Sequence, residues 1–277
     1  MSEKSESVWS KLQRIDRRIL YWILFVGLMV PFIRPIGLPI VVTPSTRDLY
    51  EGLRQVEEGD VVVLSISSGV SAWPECLPGM VAAVKILVQQ KAKIIGWTTF
   101  VDGPITWDKI VSEVPGLKEY TYGEDYVWFG YFAGGETAVA QLARDIRSVF
   151  TADYYGTPID ELPIMENVND VHDIRLVLSS DTGDVCDYYI RQWNTPYGTP
   201  VAEIGIAMLG SSYMPFYKAG ILFGMSVGVR GGAELEKLIN EPGDATIRMD
   251  AINMSHVLVV IAVILANVGY FATRRER

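Results

Sequence analysis

Histidine and cysteine are nearly absent, with two of each in 277 residues. The histidines are His172 and His256, the cysteines Cys76 and Cys186. His256 lies within an apolar run, which leaves His172 as the one candidate for a triad base. Its neighbours Asp170 and Asp173 make a surface turn before a strand the better reading. No Gly-x-Ser-x-Gly, Walker loop or Gly-x-Gly-x-x-Gly occurs, which removes the nucleophile elbow, the P-loop and the dinucleotide fingerprint. Metal binding would need carboxylates alone, such as Asp102, Asp160 and Glu161, and no spacing singles them out. The expectation is therefore no cofactor, no metal and no catalytic residue.

Basic residues are scarce in the middle of the chain. Between Pro35 and Asp250 there are 15 Lys or Arg against 29 Asp or Glu. A segment that acidic argues against nucleic acid or an anionic membrane surface as partner. The positive charge sits outside it, as Lys4, Lys11, Arg14, Arg17 and Arg18 at one end and Arg274, Arg275 and Arg277 at the other.

What the chain does have is apolar length. From Ala251 to Thr273 no residue carries a formal charge when His256 is neutral. As a helix this stretch is roughly 35 Å long, enough for a hydrocarbon core of about 30 Å. Tyr270 and Phe271 precede the terminal arginines, the order expected of an interfacial aromatic followed by a basic anchor. A buried core helix is the alternative. A second run, Ile19 to Ile33, follows the basic arm and continues past Arg34 as a Pro-rich exit to Val42, with Pro31 expected to kink or end its helix. A signal peptide competes with this reading, but prolines stand where a small-x-small cleavage site belongs. Basic flanks at both outer ends put both termini in the cytoplasm. The expected organisation is a cytoplasmic basic arm (1–18), a first transmembrane helix with its exit (19–42), an extracytoplasmic domain (43–250), a second transmembrane helix (251–273) and a basic tail (274–277). Cys76 and Cys186 then share a compartment that permits a disulfide, with two inert buried thiols as the alternative.

Strand and helix patterns alternate through the middle. Apolar strand patterns at 60–67, 93–100, 126–132, 175–178 and 201–208 each run into small polar residues, and helical patterns at 77–90, 106–114, 137–150 and 185–193 lie between them. That alternation predicts an α/β fold, a three-layer Rossmann-like domain with a mostly parallel sheet. Residues 151–173 make a long turn-rich insertion, read as a binding element or lid, or as a strap over a sheet edge or against a neighbouring subunit. From Tyr213 to Ile239 the pattern reads as one helix in which Gly220, Gly224, Gly228 and Gly232 recur every fourth residue. Such a face invites close helix packing, against the domain's own sheet, a second subunit or the bilayer.

In open α/β sheets ligands bind beyond the carboxyl ends of the strands. Ser67, Ser68, Thr99, Asp102, Glu136, Ser180 and Asp181 are the candidate ligand-binding residues by that rule. Helix capping and turn formation account for the same residue types.

Tyr122-Gly-Glu-Asp-Tyr-Val, Gly134-Gly-Glu, Asp153-Tyr-Tyr-Gly-Thr-Pro with Glu161-Leu-Pro, Gly231-Gly-Ala-Glu-Leu-Glu and Met249-Asp250 together resemble an uncharacterised prokaryotic family of two-span membrane-anchored proteins. The resemblance spans nearly the whole chain. It implies the architecture and supplies no activity. The functional expectation is a non-enzymatic membrane-anchored subunit of a larger membrane complex, a homo-oligomer or an assembly with other membrane-protein subunits. An extracytoplasmic ligand-binding or sensing domain, and a membrane-tethered hydrolase, are the alternatives.

Overall fold

The computed structural model describes residues 16–275. The basic arm through Ile15 and the last two residues lie outside it. The chain forms two units: the α/β domain, Ile40–Thr246, and a unit formed by the residues before and after it.

The domain is organised on a six-stranded sheet, β1 (Val61–Ser67), β2 (Lys93–Thr98), β3 (Tyr126–Tyr131), β4 (Leu176–Asp181), β5 (Val201–Gly205) and β6 (Leu222–Val227), in the order β3-β2-β1-β4-β5-β6. Every pairing is parallel, the arrangement of a Rossmann-like sheet. Parallel strands need crossover helices, and those helices cover both faces. The consecutive apolar residues of β1 follow from this. Val61 and Val63 join the core on one face, while Val62, Leu64 and Ile66 join the core on the other.

On the Val62 face lie α2 (Pro44–Arg54), α3 (Trp73–Gln89), α4 (Gly103–Glu113) and α8 (Gly228–Leu238), contributing Leu49, Met80, Ile110 and Leu235. Trp107 of α4 stacks on Trp128 of β3 with ring centres 4.8 Å apart. Gly96 of β2 lies under both rings, where a Cβ would stand 2.8 Å from Trp128. On the Val63 face lie α5 (Gly135–Arg144), α6 (Val185–Tyr189) and α7 (Gly210–Lys218). Past α6 the backbone widens into a π turn, Ile190–Asn194, closed by Thr195, whose hydroxyl donates to the Ile190 carbonyl at 2.8 Å.

The insertion between α5 and β4 is a strap over the sheet edge. Tyr154 N–H donates to the carbonyl of Trp128 on edge strand β3, and Ile159, Leu162, Ile164, Met165 and Val171 are buried in the core. Arg147 pins it from below, donating to the carbonyls of Met165 and Val168 and pairing with Asp160. Asp153 shapes its tip by accepting from Tyr155 N–H, Thr157 N–H and the Tyr122 hydroxyl. The motif residues Tyr122 and Asp153 thus meet in one hydrogen bond.

The segment 213–239 departs from the expected single helix. It contains the end of α7, the edge strand β6 and α8. Gly220 is a left-handed turn residue at φ +73°. Gly224 lies in β6, where a Cβ would meet the backbone of Leu49 at 2.4 Å, so α2 rests directly on this strand. Gly228 opens α8 at φ +64°. Gly232 lies inside α8 and lets it approach the backbone of Gly79 on α3. The four glycines stand in a turn, a strand, a helix start and a helix interior; Gly224, Gly228 and Gly232 serve close packing inside the domain, and Gly220 faces open space.

In the other unit, α1 (Arg17–Ile33) ends one turn after Pro31, where Arg34 N–H still reaches the Val30 carbonyl. The long helix α9 (Asp244–Arg275) enters this unit at Ile247. Gly27 of α1 faces Leu258 of α9, with a Cβ at Gly27 only 2.6 Å from Leu258 Cδ1. Asp250, fully buried, accepts from three successive backbone N–H groups, Ile36, Gly37 and Leu38, each at 2.8 Å. Away from these contacts the apolar side chains of both helices are exposed, from Ile19 to Ile33 and from Val257 to Phe271. Among the described residues two helical stretches are long and apolar enough to cross a membrane, Val70–Gln89 and Asp244–Ala272. The first is mostly buried in the domain core and the second is 6% buried.

Candidate functional site

Strand order reverses between β1 and β4, so the crevice that Rossmann-like sheets use for ligands opens at the ends of these two strands. Ser67 and Asp181 are register partners there. The small polar residues of this edge bond to one another. Ser68 Oγ and Ser180 Oγ are 3.0 Å apart across the switch point, and Ser67 Oγ and Thr99 Oγ1 are 3.0 Å apart across β1 and β2. Asp102, just ahead of α4, lies beside Gly69. Glu136 is drawn away to the surface, where Arg191 holds it with two hydrogen bonds of 2.8 and 2.9 Å and Gln192 adds a third. These bonds hold its carboxyl at about 2, below the usual carboxylate range.

The first turn of α3 occupies the place where a dinucleotide fold would receive phosphate, and it carries Glu75. The Glu75 carboxylate accepts from Ala207 N–H at 2.7 Å and ties the loop after β5 to this helix end. A carboxylate in that position repels an anionic ligand.

Beneath the edge, on the Val63 face, is a polar cluster that joins the candidate Asp181 to Glu203 and Tyr213, which the sequence did not single out. Asp181 ends β4 and is fully buried. Its carboxylate caps the chain entering α6, accepting from Gly183 N–H and from Cys186 N–H at 2.7 Å. The Tyr213 hydroxyl of α7 donates to the Gly183 carbonyl at 3.3 Å and lies 3.5 Å from Asp181 Oδ2. Glu203 stands one strand away on β5, also fully buried, and its Oε1 is 3.4 Å from Asp181 N. Burial and the nearby Asp181 charge push the Glu203 carboxyl well above its ordinary range, an effect partly offset by the Cys186 thiol and the Ser179 hydroxyl. Burial also raises Asp181, against the pull of its two backbone N–H partners.

Ser65, Ser179 and Glu203 are neighbours in register across β1, β4 and β5. The Oγ atoms of both serines and Oε2 of Glu203 make no well-formed hydrogen bond. Burial and adjacent carboxylates raise both thiols, so Cys76 and Cys186 are protonated and unreactive near neutral pH. Both are buried free thiols, and no disulfide joins them. His172 stands on the surface in a capping-box turn, its ring edge-on to Tyr197. Among the described residues no three His, Cys, Asp or Glu side chains form a group that could hold a metal ion.

Glu203 had one signal in the sequence: a lone acid in the apolar run Val201-Ala-Glu-Ile, which a strand buried on both faces does not accept without a reason. A second pair of acids was equally unread. Glu234 and Glu236 of α8 are buried and hold the two ends of the domain. Glu234 accepts from the N–H and hydroxyl of Thr43, while Glu236 accepts from the N–H groups of Gly243, Ala245 and Thr246 and from the Thr246 hydroxyl. The acids of the Gly-Gly-Ala-Glu-Leu-Glu motif are therefore fasteners for the chain entering and leaving the domain.

Comparisons of the chain with protein-family models, with curated proteins and with solved structures return no match.

Proposed function

We propose that this chain is a two-span membrane protein without catalytic activity, presenting its acidic α/β domain outside the cytoplasm as a subunit of a larger membrane assembly. The observation that carries the reading is the exposure of apolar side chains on both helices, from Ile19 to Val30 on α1 and from Val259 to Val268 on α9, with the two helices meeting at Gly27 and Leu258. The basic residues beyond each helix favour both termini in the cytoplasm. Assembly is supported by the rim of the domain. Val70, Phe100, Val101 and Met208, from the loops after β1, β2 and β5, and Ile105 in the first turn of α4 are 39 to 76% exposed. They flank a strand-end edge whose hydroxyls are engaged with one another. Exposed apolar rims of this kind serve contact with other proteins.

The experiment is native electrophoresis of gently solubilised membranes together with alkaline carbonate extraction. The expected result is retention in the carbonate pellet and migration well above the 30.8 kDa of one chain, with Val101→Asp plus Met208→Asp lowering the apparent mass while the domain stays folded. Release into the carbonate supernatant would overturn the anchor. A monomer in native membranes would overturn the assembly.

A further inference from the structure

The Asp181 and Glu203 carboxyls are both fully buried, and no ion pair among the described residues involves either one. The titratable groups around them add no positive charge. Cys186, Asp184 and Asp187 face the pair from α6 and its approach, Tyr213 from α7, and Cys76 with Glu75 from α3. Two ionised carboxylates with no compensating cation are not tolerated in such a place, whereas one shared proton makes it stable. Asp181 is the member better held in the ionised form, because both of its oxygens accept from backbone N–H groups, Oδ1 from Gly183 and Oδ2 from Cys186. The proton then falls to Glu203, whose Oε2 makes no well-formed hydrogen bond. Above the pair lie Gly183 and Asp184, both exposed, and past α6 the helix carries the π turn Ile190–Asn194, a rare form found mostly as single-turn bulges, often at functional sites.

We propose that the Asp181–Glu203 pair is a one-proton switch that seats α6 on the strand ends: with Glu203 protonated Asp181 caps the helix, and with Glu203 ionised the repulsion lifts residues 182–194 from the sheet edge. Opening exposes Glu203 to water, where its carboxyl returns to the ordinary range. Between that range and its raised value in the seated state, each opening event releases one proton. The opening constant then rises about tenfold per pH unit, is flat below the ordinary carboxylate range, and is flat again above the raised value.

The test is hydrogen exchange of the full chain in detergent micelles from pH 5.5 to 9, with each peptide's rate corrected for the intrinsic pH dependence of amide exchange. The strap, 151–173, serves as internal reference. Protection of 182–194 is expected to fall by close to tenfold per pH unit over part of this range while the strap stays constant. Glu203→Gln, which stays neutral, should remove the slope and keep the protection found at low pH. Protection of 182–194 that does not change with pH in the wild-type chain overturns the proposal even if the variant fails to fold. So does an unchanged slope in Glu203→Gln. A fall shared equally by the strap assigns the effect to the whole domain and overturns it as well.

Discussion

Valine is used in opposite ways in the two units. Val62 and Val63 of β1 are completely buried, whereas Val259, Val260 and Val263 of α9 are each more than half exposed. Two helical stretches make the same point at the level of whole elements. Val70–Gln89 and Asp244–Ala272 both have the length and composition of a membrane span, yet 67% of the first is buried and 6% of the second. Apolar length does not separate a core helix from a span. What separates them is whether the rest of the fold supplies a cover. For α3 it does: Gly79 and Gly232 let α8 lie directly against it, and the sheet closes the other side. For α9 the side chains from Val259 to Val268 stay exposed, an exposure that an apolar solvent would accept.

The contrast breaks most sharply when the same lysine is placed in each unit. Val63→Lys puts an unpaired ammonium between the sheet and its helices, and the domain is expected to lose about 4 kcal/mol or more and fail to fold, read by its thermal melt. Val260→Lys should leave that melt unchanged. Its cost is about 3 kcal/mol of membrane insertion, seen as a larger share of protein released by alkaline carbonate.

Gly224→Leu tests the packing that replaced the expected glycine helix. A side chain there collides with the Leu49 backbone, so the domain should lose roughly 3 kcal/mol in denaturant unfolding with membrane retention unchanged. A stable, folded variant would revive the idea of an external seam at this glycine. Asp250→Ala sharpens the comparison from the other unit. It leaves the N–H groups of Ile36, Gly37 and Leu38 without their acceptor, at a cost of about 2 kcal/mol. Faster exchange of those three amides, with the melt of the α/β domain unmoved, is the expected signature.

The smallest effect is at the surface pair. Glu136 has its carboxyl lowered to about 2 by Arg191 and Gln192, so the stability it adds is present above the ordinary carboxylate range and disappears as pH falls toward that value. The pair is open to solvent, and Arg191→Ala should move the acid unfolding midpoint only slightly upward.

Much of this architecture could be read before any coordinates. The runs at 61–67, 93–98, 126–131, 176–181 and 201–205 are short and apolar and lead into small or polar residues, and a parallel sheet buried on both faces demands such apolar runs. The sixth strand escaped because Gly220-Ile-Leu-Phe-Gly-Met-Ser-Val-Gly carries glycine every fourth residue, a helical spacing that arises here by coincidence. Local pattern could not distinguish the readings, since the deciding contact is Leu49, 175 positions away in the chain. The candidate site was legible in part. Ser67, Ser68, Thr99, Ser180 and Asp181 do meet at the strand ends, because strand ends are fixed by the strands themselves. Glu136 did not join them, since Arg191 from another helix captured it.

The sequence by itself determined where apolar surface must be hidden: its periods set the strands and crossover helices, and its long uncharged run near the C-terminus set α9. Only the tertiary structure decided which polar groups lose their water. Asp181, Glu203, Glu234, Glu236 and Asp250 look alike in a string of letters, since a carboxylate's chemistry comes from its surroundings and not from its neighbours in the chain. The fold buries them all, and then gives four of them close backbone N–H partners and the fifth, Glu203, a single long one from Asp181 at 3.4 Å, with burial raising its carboxyl.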